Sequence, residues 1–395
     1  MRILYVSPYF WPEEIGSAPY CTRVAVDLAE RGHSVTVRAF RPHYPSPESF
    51  LGWKPEQDDQ LHKSIFIRRT PLFAGAGKGF AARIANDLVF AAGLAAMALS
   101  GRLKRFDATI CYVPTTLGLL ALALTRPFRR GRLTAVVHDI ESGLAANVGI
   151  ASSRLLVGAM RAVERTSLGG ADSIVVLTDA MQDEFRALGV KRPIQVLPIW
   201  ATVGNEPKHD AECAPTVLYS GNFGKKQNLD QLLPLISRLA ERRPDVKVVL
   251  RGDGSERARL QAAVGEMRVT NTSFGPLVPA AELADSLGQA TVHLVPQAPN
   301  VANYTLPSKL ISVMAAGRPF VSIAAAGSTL DRLAESSGAG LCVGPDSGDA
   351  LFEAVLGLVD NPERATRMGA NGRRYVLKNM NQDDILDRYA ALITL

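Results

Sequence analysis

The sequence predicts an α/β protein built from two doubly wound, parallel-sheet halves in tandem, and three observations carry that prediction. The first forty residues run strand, loop, helix, strand, which is a βαβ unit. A second strand-first series starts at Thr216, after a polar, proline-containing segment. The length of 395 residues suits two domains at the usual size of roughly 100–200 residues each.

Residues 2–7, Arg-Ile-Leu-Tyr-Val-Ser, are apolar and β-rich, and residues 8–16 form a loop punctuated by proline and glycine. Residues 20–31 place Val24 and Leu28 at helical spacing, Gly32 stops that helix, and residues 34–38 alternate as a strand. Further strands are expected near 65–69, 108–112, 134–138, 173–177 and 195–197, with helical patterns between most of them. Residues 201–215 read as a linker. The second series places strands near 216–219, 246–251, 270–274, 291–295, 319–323 and 340–343, and a last helix near 381–395 follows a finished sheet. The expected domains are 1–205, 206–378 and a terminal helical segment 379–395. Two Rossmann-like halves joined by a linker point to an interdomain cleft as the site.

With 47% hydrophobic and 21% charged residues the chain can bury a proper core, which excludes disorder, collagen-like repeats and a disulfide scaffold. Cys21, Cys111, Cys213 and Cys342 are scattered, with no C-x-x-C pair, and read as buried thiols in a reducing compartment. The apolar run Ile3 to Val6 is too short for a secretory h-region. The longest weakly polar stretch, about residues 88–99, falls short of the roughly 20 residues that cross a bilayer, so a membrane-spanning chain is not expected.

The net charge of +6 is unevenly placed. Residues 1–205 carry 24 basic and 17 acidic side chains, and residues 206–395 carry 20 and 21. From Lys78 to Arg132 there are nine cations against Asp87 and Asp107. An apolar helix flanked by cations in this stretch fits either an anionic lipid surface or a core helix with solvated ends. Nucleic-acid binding is not expected, because no aromatic or Arg-Gly pattern accompanies the charge.

Strand-to-helix junctions are where such sheets bind ligands. In the first half, Gly16 and Ser17 sit between strand and helix, where a glycine either admits a ligand to the backbone or permits a tight turn. Val136-Val-His138-Asp139-Ile-Glu141 ends a strand in an imidazole and two carboxylates. A histidine titrating near neutral pH there exchanges a proton with a substrate hydroxyl, or the pair caps a helix. No G-x-S-x-G, H-E-x-x-H or Asp-x-Asp metal pair competes, and no metal site is expected.

In the second half, Tyr219-Ser-Gly221-Asn222-Phe-Gly224-Lys225-Lys226-Gln227 leaves a strand with open backbone and two lysines, suited to a diphosphate although it is not a Walker A motif. Arg251-Gly252-Asp-Gly254 is a second strand-glycine-helix junction. Leu306-Pro307-Ser308-Lys309 opens a helix, where a first-turn lysine opposes the helix dipole at a cost of a few tenths to about 1 kcal/mol that an anion would remove. The bland alternative is a solvated lysine.

Together these residues resemble the GT-B glycosyltransferases of the large retaining family typified by sucrose-phosphate synthase, in its WcaI-like and N-acetylfucosamine-transferase-like branch. The resemblance covers nearly the whole chain and rests on the opening strand and loop, Leu28-Ala-Glu-Arg-Gly-His-Ser-Val-Thr-Val37, His138-Asp139, Tyr219-Ser-Gly-Asn, Gly252-Asp-Gly254, Pro307-Ser-Lys309 and Met314-Ala-Ala-Gly317. It implies a metal-independent, hexosyltransferase-type enzyme without a cofactor, whose substrate is a nucleotide diphosphate sugar of UDP or GDP type. It implies that Gly221, Asn222, Lys226, Ser308 and Lys309 hold the diphosphate, with Gly252, Gly254, Leu306 and Pro307 around them and the backbone from Phe274 to Leu277 on the base. The acceptor, polyprenyl-linked or a free saccharide, would lie near Gly16, Ser17, His138, Asp139 and Glu141, with His138, Asp139 and Lys226 catalytic. The last helix would cross back to the first domain. The implied setting is bacterial surface or exopolysaccharide synthesis, in the cytoplasm at the inner face of the membrane. One departure is plain: where the broad family carries two glutamates around its donor helix, this chain has Tyr304 and Ser312. A nucleotide-sugar epimerase, or a nucleotide-sugar-binding protein without turnover, remains an alternative at this point.

Overall fold

A computed structural model describes residues 1–14, 16–44, 47–73, 80–147, 153–201, 214–279, 282–299, 301 and 303–394. Most of the expected linker, Cys213, Gly75-Ala-Gly77 and Lys78 lie outside the described residues. The chain divides into two units, Met1–Pro198 with Asp383–Leu395, and Ile199–Gln382.

Unit 1 contains a seven-stranded sheet: β1 (Arg2–Val6), β2 (Ser34–Phe40), β3 (Ile65–Thr70), β4 (Ala108–Val113), β5 (Arg132–Val137), β6 (Ser173–Val176) and β7 (Ile194–Val196). Their order across the sheet is β3-β2-β1-β4-β5-β6-β7, and every pairing is parallel. Strands covered by helices on both faces carry continuous apolar runs, and here β4, β5 and β6 are buried along nearly their whole length. The final helix, Gln382–Thr394, belongs to this unit. It buries Ile385, Leu386, Tyr389, Leu392 and Ile393, and Asp387 and Arg388 tie it to Arg31 (2.5 Å) and the Val196 carbonyl (3.0 Å).

Unit 2 repeats the plan with six strands: β8 (Thr216–Ser220), β9 (Lys247–Arg251), β10 (Thr272–Gly275), β11 (Val292–Pro296), β12 (Phe320–Ile323) and β13 (Gly340–Val343). The order is β10-β9-β8-β11-β12-β13, again parallel throughout. All thirteen strands read from the sequence are present, with ends shifted by no more than two residues. Val217, Tyr219, Val248, Leu250, Val292 and Leu294 point to one face of this sheet and share a core with Leu235, Ile236, Leu239, Phe352 and Val355.

Two expectations change. The apolar stretch near 88–99 is part of a 20-residue helix, Phe80–Leu99, long and apolar enough by length and composition to cross a bilayer. It nevertheless packs into unit 1: Phe90, Leu94 and Ala98 are buried, Asn86 accepts the Phe73 N–H, and Asp87 accepts the Thr115 hydroxyl and the Leu117 N–H (3.1 Å). Its outward side remains apolar, with Ile84, Leu88, Val89 and Leu99 exposed. Second, the described cations between residues 78 and 132 divide unevenly: Arg83 lies in the first turn of Phe80–Leu99, and the rest lie at the amino ends of β4 and β5. Arg126, Arg129, Arg130 and Arg132 join Arg192 and Asp172 around a crevice of about 510 Å³ at the amino ends of β5, β6 and β7. Those ends lie a strand length, roughly 20 Å for six residues, from the carboxyl ends where His138 begins.

Unit 2 also contains a close helix packing that tests the fold. In the helix Pro362–Asn379, a Cβ on Gly369 would fall 2.0 Å from the Gly317 carbonyl oxygen. Gly369→Ala should therefore destabilise the protein by about 1–3 kcal/mol through overpacking. Calorimetry should record this as a drop in melting temperature of roughly 2–10 °C.

Candidate functional site

In an open doubly wound sheet, ligands bind beyond the carboxyl ends of the strands where the strand order reverses. That point falls between β1 and β4 in unit 1 and between β8 and β11 in unit 2. Most sequence-predicted residues lie at one or other of these edges.

At the edge of unit 2, the loops after β8 and β9 are fastened backbone to backbone. Gly221 N–H donates to the Arg251 carbonyl (2.9 Å) and Phe223 N–H to the Asp253 carbonyl (2.7 Å). Gly252, at φ 146°, lies so close to the first loop that a Cβ would sit 1.8 Å from the Gly221 carbonyl oxygen. Only glycine allows both the backbone angle and the approach. Gly254 rests on the Asn222 side chain and the Phe223 backbone, and Tyr219 donates its hydroxyl hydrogen to the Asn222 carbonyl (2.5 Å). Lys226 joins through its carbonyl, which accepts the Ala298 N–H (2.8 Å) and so ties the β8 loop to the chain leaving β11. Phe274, at the end of β10, packs on Phe223 with ring centroids 6.3 Å apart, while Leu277 beyond it is exposed.

The helix Ser308–Ala315 begins at the same edge, with buried Leu306 and half-buried Pro307 leading into it. Ser308 is exposed, and Lys309 turns inward. Its ammonium is buried 4.0 Å from the centre of the Tyr219 ring, without a hydrogen-bond partner, and a Cβ on Gly221 would sit 3.4 Å from it. Burial alone pulls this lysine from its ordinary 10.5 down to about 7. An ammonium held in the first helical turn, against the dipole and away from any carboxylate, is arranged for an anion. Tyr304 and Ser312 are half-buried, and the helix itself contains no acidic residue.

At the edge of unit 1, His138 and Asp139 follow β5, and Glu141 opens the helix Glu141–Asn147. The His138 ring meets Tyr112 and Tyr20 edge to face, at 5.4 and 6.2 Å. Burial drives its pKa down to about 4, with Asp139 opposing, so this histidine is neutral at physiological pH and does not titrate near neutrality as the sequence suggested. Glu141 behaves in the opposite way: burial raises it to about 7 even though the Thr116 hydroxyl donates to it (2.6 Å). Gly16 is exposed beside the Tyr44 ring, and Ser17 precedes the helix Ala18–Glu30 without capping it. The charge of Asp139 reaches Tyr44, which brings the Gly16 loop and the strand-end acids into one neighbourhood.

Sequence reasoning missed several members of this neighbourhood. Glu13 is buried and accepts N–H groups from Phe10, His43 and Tyr44 (3.1, 2.8 and 2.9 Å), which folds the 41–44 loop over the site. Tyr9 stacks on His43 at 5.4 Å and meets Tyr44 edge to face. Arg83 lies near enough for its charge to oppose the burial shifts of both Tyr9 and Glu141. The signals were present as Tyr9, Glu13, His43 and Tyr44, but nothing in their spacing announces that they meet. Among the described residues, no group of three or more His, Cys, Asp or Glu is gathered to hold a metal ion.

Comparison with known proteins agrees with this plan. The family described as Glycosyl transferase 4-like domain matches residues 16–200, and Glycosyl transferases group 1 matches residues 205–375. The chain is 25% identical to the putative colanic acid biosynthesis glycosyl transferase WcaI of Escherichia coli (strain K12), over 410 aligned residues and 98% of each chain. Among solved structures, sucrose-phosphate synthase from Thermosynechococcus elongatus has a TM-score of 0.74 at 17% identity, covering 99% of this chain and 98% of the other. Anabaena HepE, in complex with UDP-glucose, has a TM-score of 0.69 at 15% identity, covering 100% and 99%. The chain is thus a GT-B-fold member of the glycosyltransferases, a glycosyl transferase 4-like domain followed by a group 1 domain.

Proposed function

We propose that this protein is a retaining, metal-independent glycosyltransferase that moves a sugar from a UDP- or GDP-type donor to a polyprenyl-linked or saccharide acceptor in bacterial surface or exopolysaccharide synthesis. Unit 2 takes the donor and unit 1 the acceptor. The observation that carries the reading is the buried, unpartnered Lys309 ammonium against Gly221 at the start of a helix. When the bond from the sugar to the diphosphate breaks, negative charge grows on the leaving oxygen. Lys309, Lys226 and the N–H groups at the start of the helix Ser308–Ala315 are what stabilises that charge, without a metal or other cofactor. The complex of HepE with UDP-glucose supports a nucleotide sugar as donor.

In unit 1, neutral His138 offers a ring nitrogen to an acceptor hydroxyl, Asp139 and Glu141 accept from others, and Tyr9 and Tyr44 provide aromatic faces for a sugar ring. The protein works in the cytoplasm at the inner face of the membrane. The exposed apolar side of Phe80–Leu99 supports this, with Arg83 near its first turn and Arg102, Lys104 and Arg105 just past its end.

A thermal-shift screen against nucleoside diphosphates tests the donor reading: UDP or GDP at 100 times its dissociation constant should stabilise by about 2.7 kcal/mol. Product analysis with the matching nucleotide sugar should show transfer to acceptor that His138→Ala reduces at least roughly 100-fold. Conversion of the nucleotide sugar without acceptor would instead mark an epimerase.

Lys309 makes the donor site pH-sensitive. Between pH about 7 and 10.5 the folded protein holds fewer protons than the unfolded chain, so the stability of the free protein should rise with pH across that window. Affinity for the diphosphate should fall over the same rise, because the ammonium is lost. Lys309→Met should remove both dependences, measured by denaturation and by calorimetric titration.

Vesicles containing anionic lipid should sediment the protein at low salt and release it at high salt. Equal recovery with neutral vesicles would exclude the electrostatic part of membrane attachment.

A further inference from the structure

Arg251 is a second cation at the edge of unit 2 that lacks a counter-ion among the described residues. It ends β9, in register with Ser220 of β8 on one side and Gly275 of β10 on the other. Its Nε and Nη1 donate to the hydroxyls of Ser220 (3.4 Å) and Ser286. Its Nη2 is buried with no acceptor, and among the described residues no carboxylate pairs with it. Burial lowers its pKa, with no anion nearby to oppose the shift. Two hydroxyls hold the guanidinium in a fixed plane and leave one pair of N–H groups unspent.

The place of this arginine says what those groups are for. An anion at Lys309 sits over β8, at the point where the strand order reverses. Neighbouring strands are about 4.8 Å apart, so Arg251 stands one strand away from that anion, toward β10. A nucleoside attached to a diphosphate at Lys309 can lie along the strand ends toward β9 and β10, where Phe274 and Gly275 end β10. Its base then falls over β9 and β10, above Arg251.

We propose that Arg251 reads the base of the donor nucleotide by donating from Nη2 to the C4 oxygen of a uracil or the C6 oxygen of a guanine. The proposal rests on unit 2 being the donor half and adds the class of base. Uracil and guanine present a carbonyl oxygen where cytosine and adenine present an amino group. A guanidinium only donates, so it accepts the first pair and rejects the second. The specificity arises from a donor with no alternative partner, which is left unpaired when the wrong base enters.

The test is calorimetric titration of the full-length wild type, Arg251→Lys and Arg251→Met with UDP, CDP, GDP, ADP and inorganic pyrophosphate. The wild type should prefer one carbonyl-bearing nucleotide over its amino counterpart, UDP over CDP or GDP over ADP, by roughly 10- to 100-fold, the range for a hydrogen bond from a charged donor. Both variants should bring that ratio within about threefold of one while binding pyrophosphate as the wild type does. The ratio is taken within one variant, so a loss of folded fraction cancels from it. An unchanged ratio in Arg251→Met overturns the proposal while the donor reading stands. A loss of pyrophosphate affinity equal to the loss for UDP or GDP overturns it too, by making Arg251 a phosphate ligand. If the wild type binds none of the five, the donor reading fails and this inference falls with it.

Discussion

An ammonium with nothing to neutralise it organises unit 2. Lys309 could have been turned to water by a different rotamer, yet it lies over the Tyr219 ring with Gly221 beneath it. The surrounding features make room for it. Glycine stands where a side chain would fill the space, backbone hydrogen bonds fasten the two loops, and Tyr219 spends its hydroxyl on the Asn222 carbonyl, leaving its ring face for the cation. Burying that charge is costly, and the cost falls when the lysine gives up its proton or when an anion brings an opposite charge.

Unit 1 exchanges the roles expected of its two most visible ionisable groups. An exposed histidine titrates near neutrality and an exposed glutamate is ionised there. Packing against Tyr20 and Tyr112 makes His138 a fixed neutral hydrogen-bonding group, while burial beside Thr116 makes Glu141 the group that changes protonation near pH 7.

The sequence exposes its strands because parallel strands buried on both faces must be apolar runs, and apolar runs bounded by glycine and proline are legible without neighbours. It exposes the residues at strand ends for the same reason: Gly221, Gly252, His138 and Lys309 each follow or face such a run. What stays hidden needs the third dimension. Glu13 is one of two adjacent acids, and only the fold shows that it is buried and holds the 41–44 loop. Arg251 reads as the polar end of a strand until Ser220 and Ser286 are seen to fix it. The cations between Lys78 and Arg132 are one block in sequence, but in the fold Arg83 lies in the first turn of Phe80–Leu99 while the other described ones gather at the amino ends of β4 and β5.

The last helix belongs to unit 1 although the whole of unit 2 precedes it in the chain. Tyr389 and its neighbours on that helix fill the core beside Tyr5 and Tyr112. During synthesis, then, the first domain cannot finish folding when its own strands emerge. It must wait, with an apolar seat open, for some 185 further residues to leave the ribosome. Completion of unit 1 is thereby made to depend on unit 2 having been made.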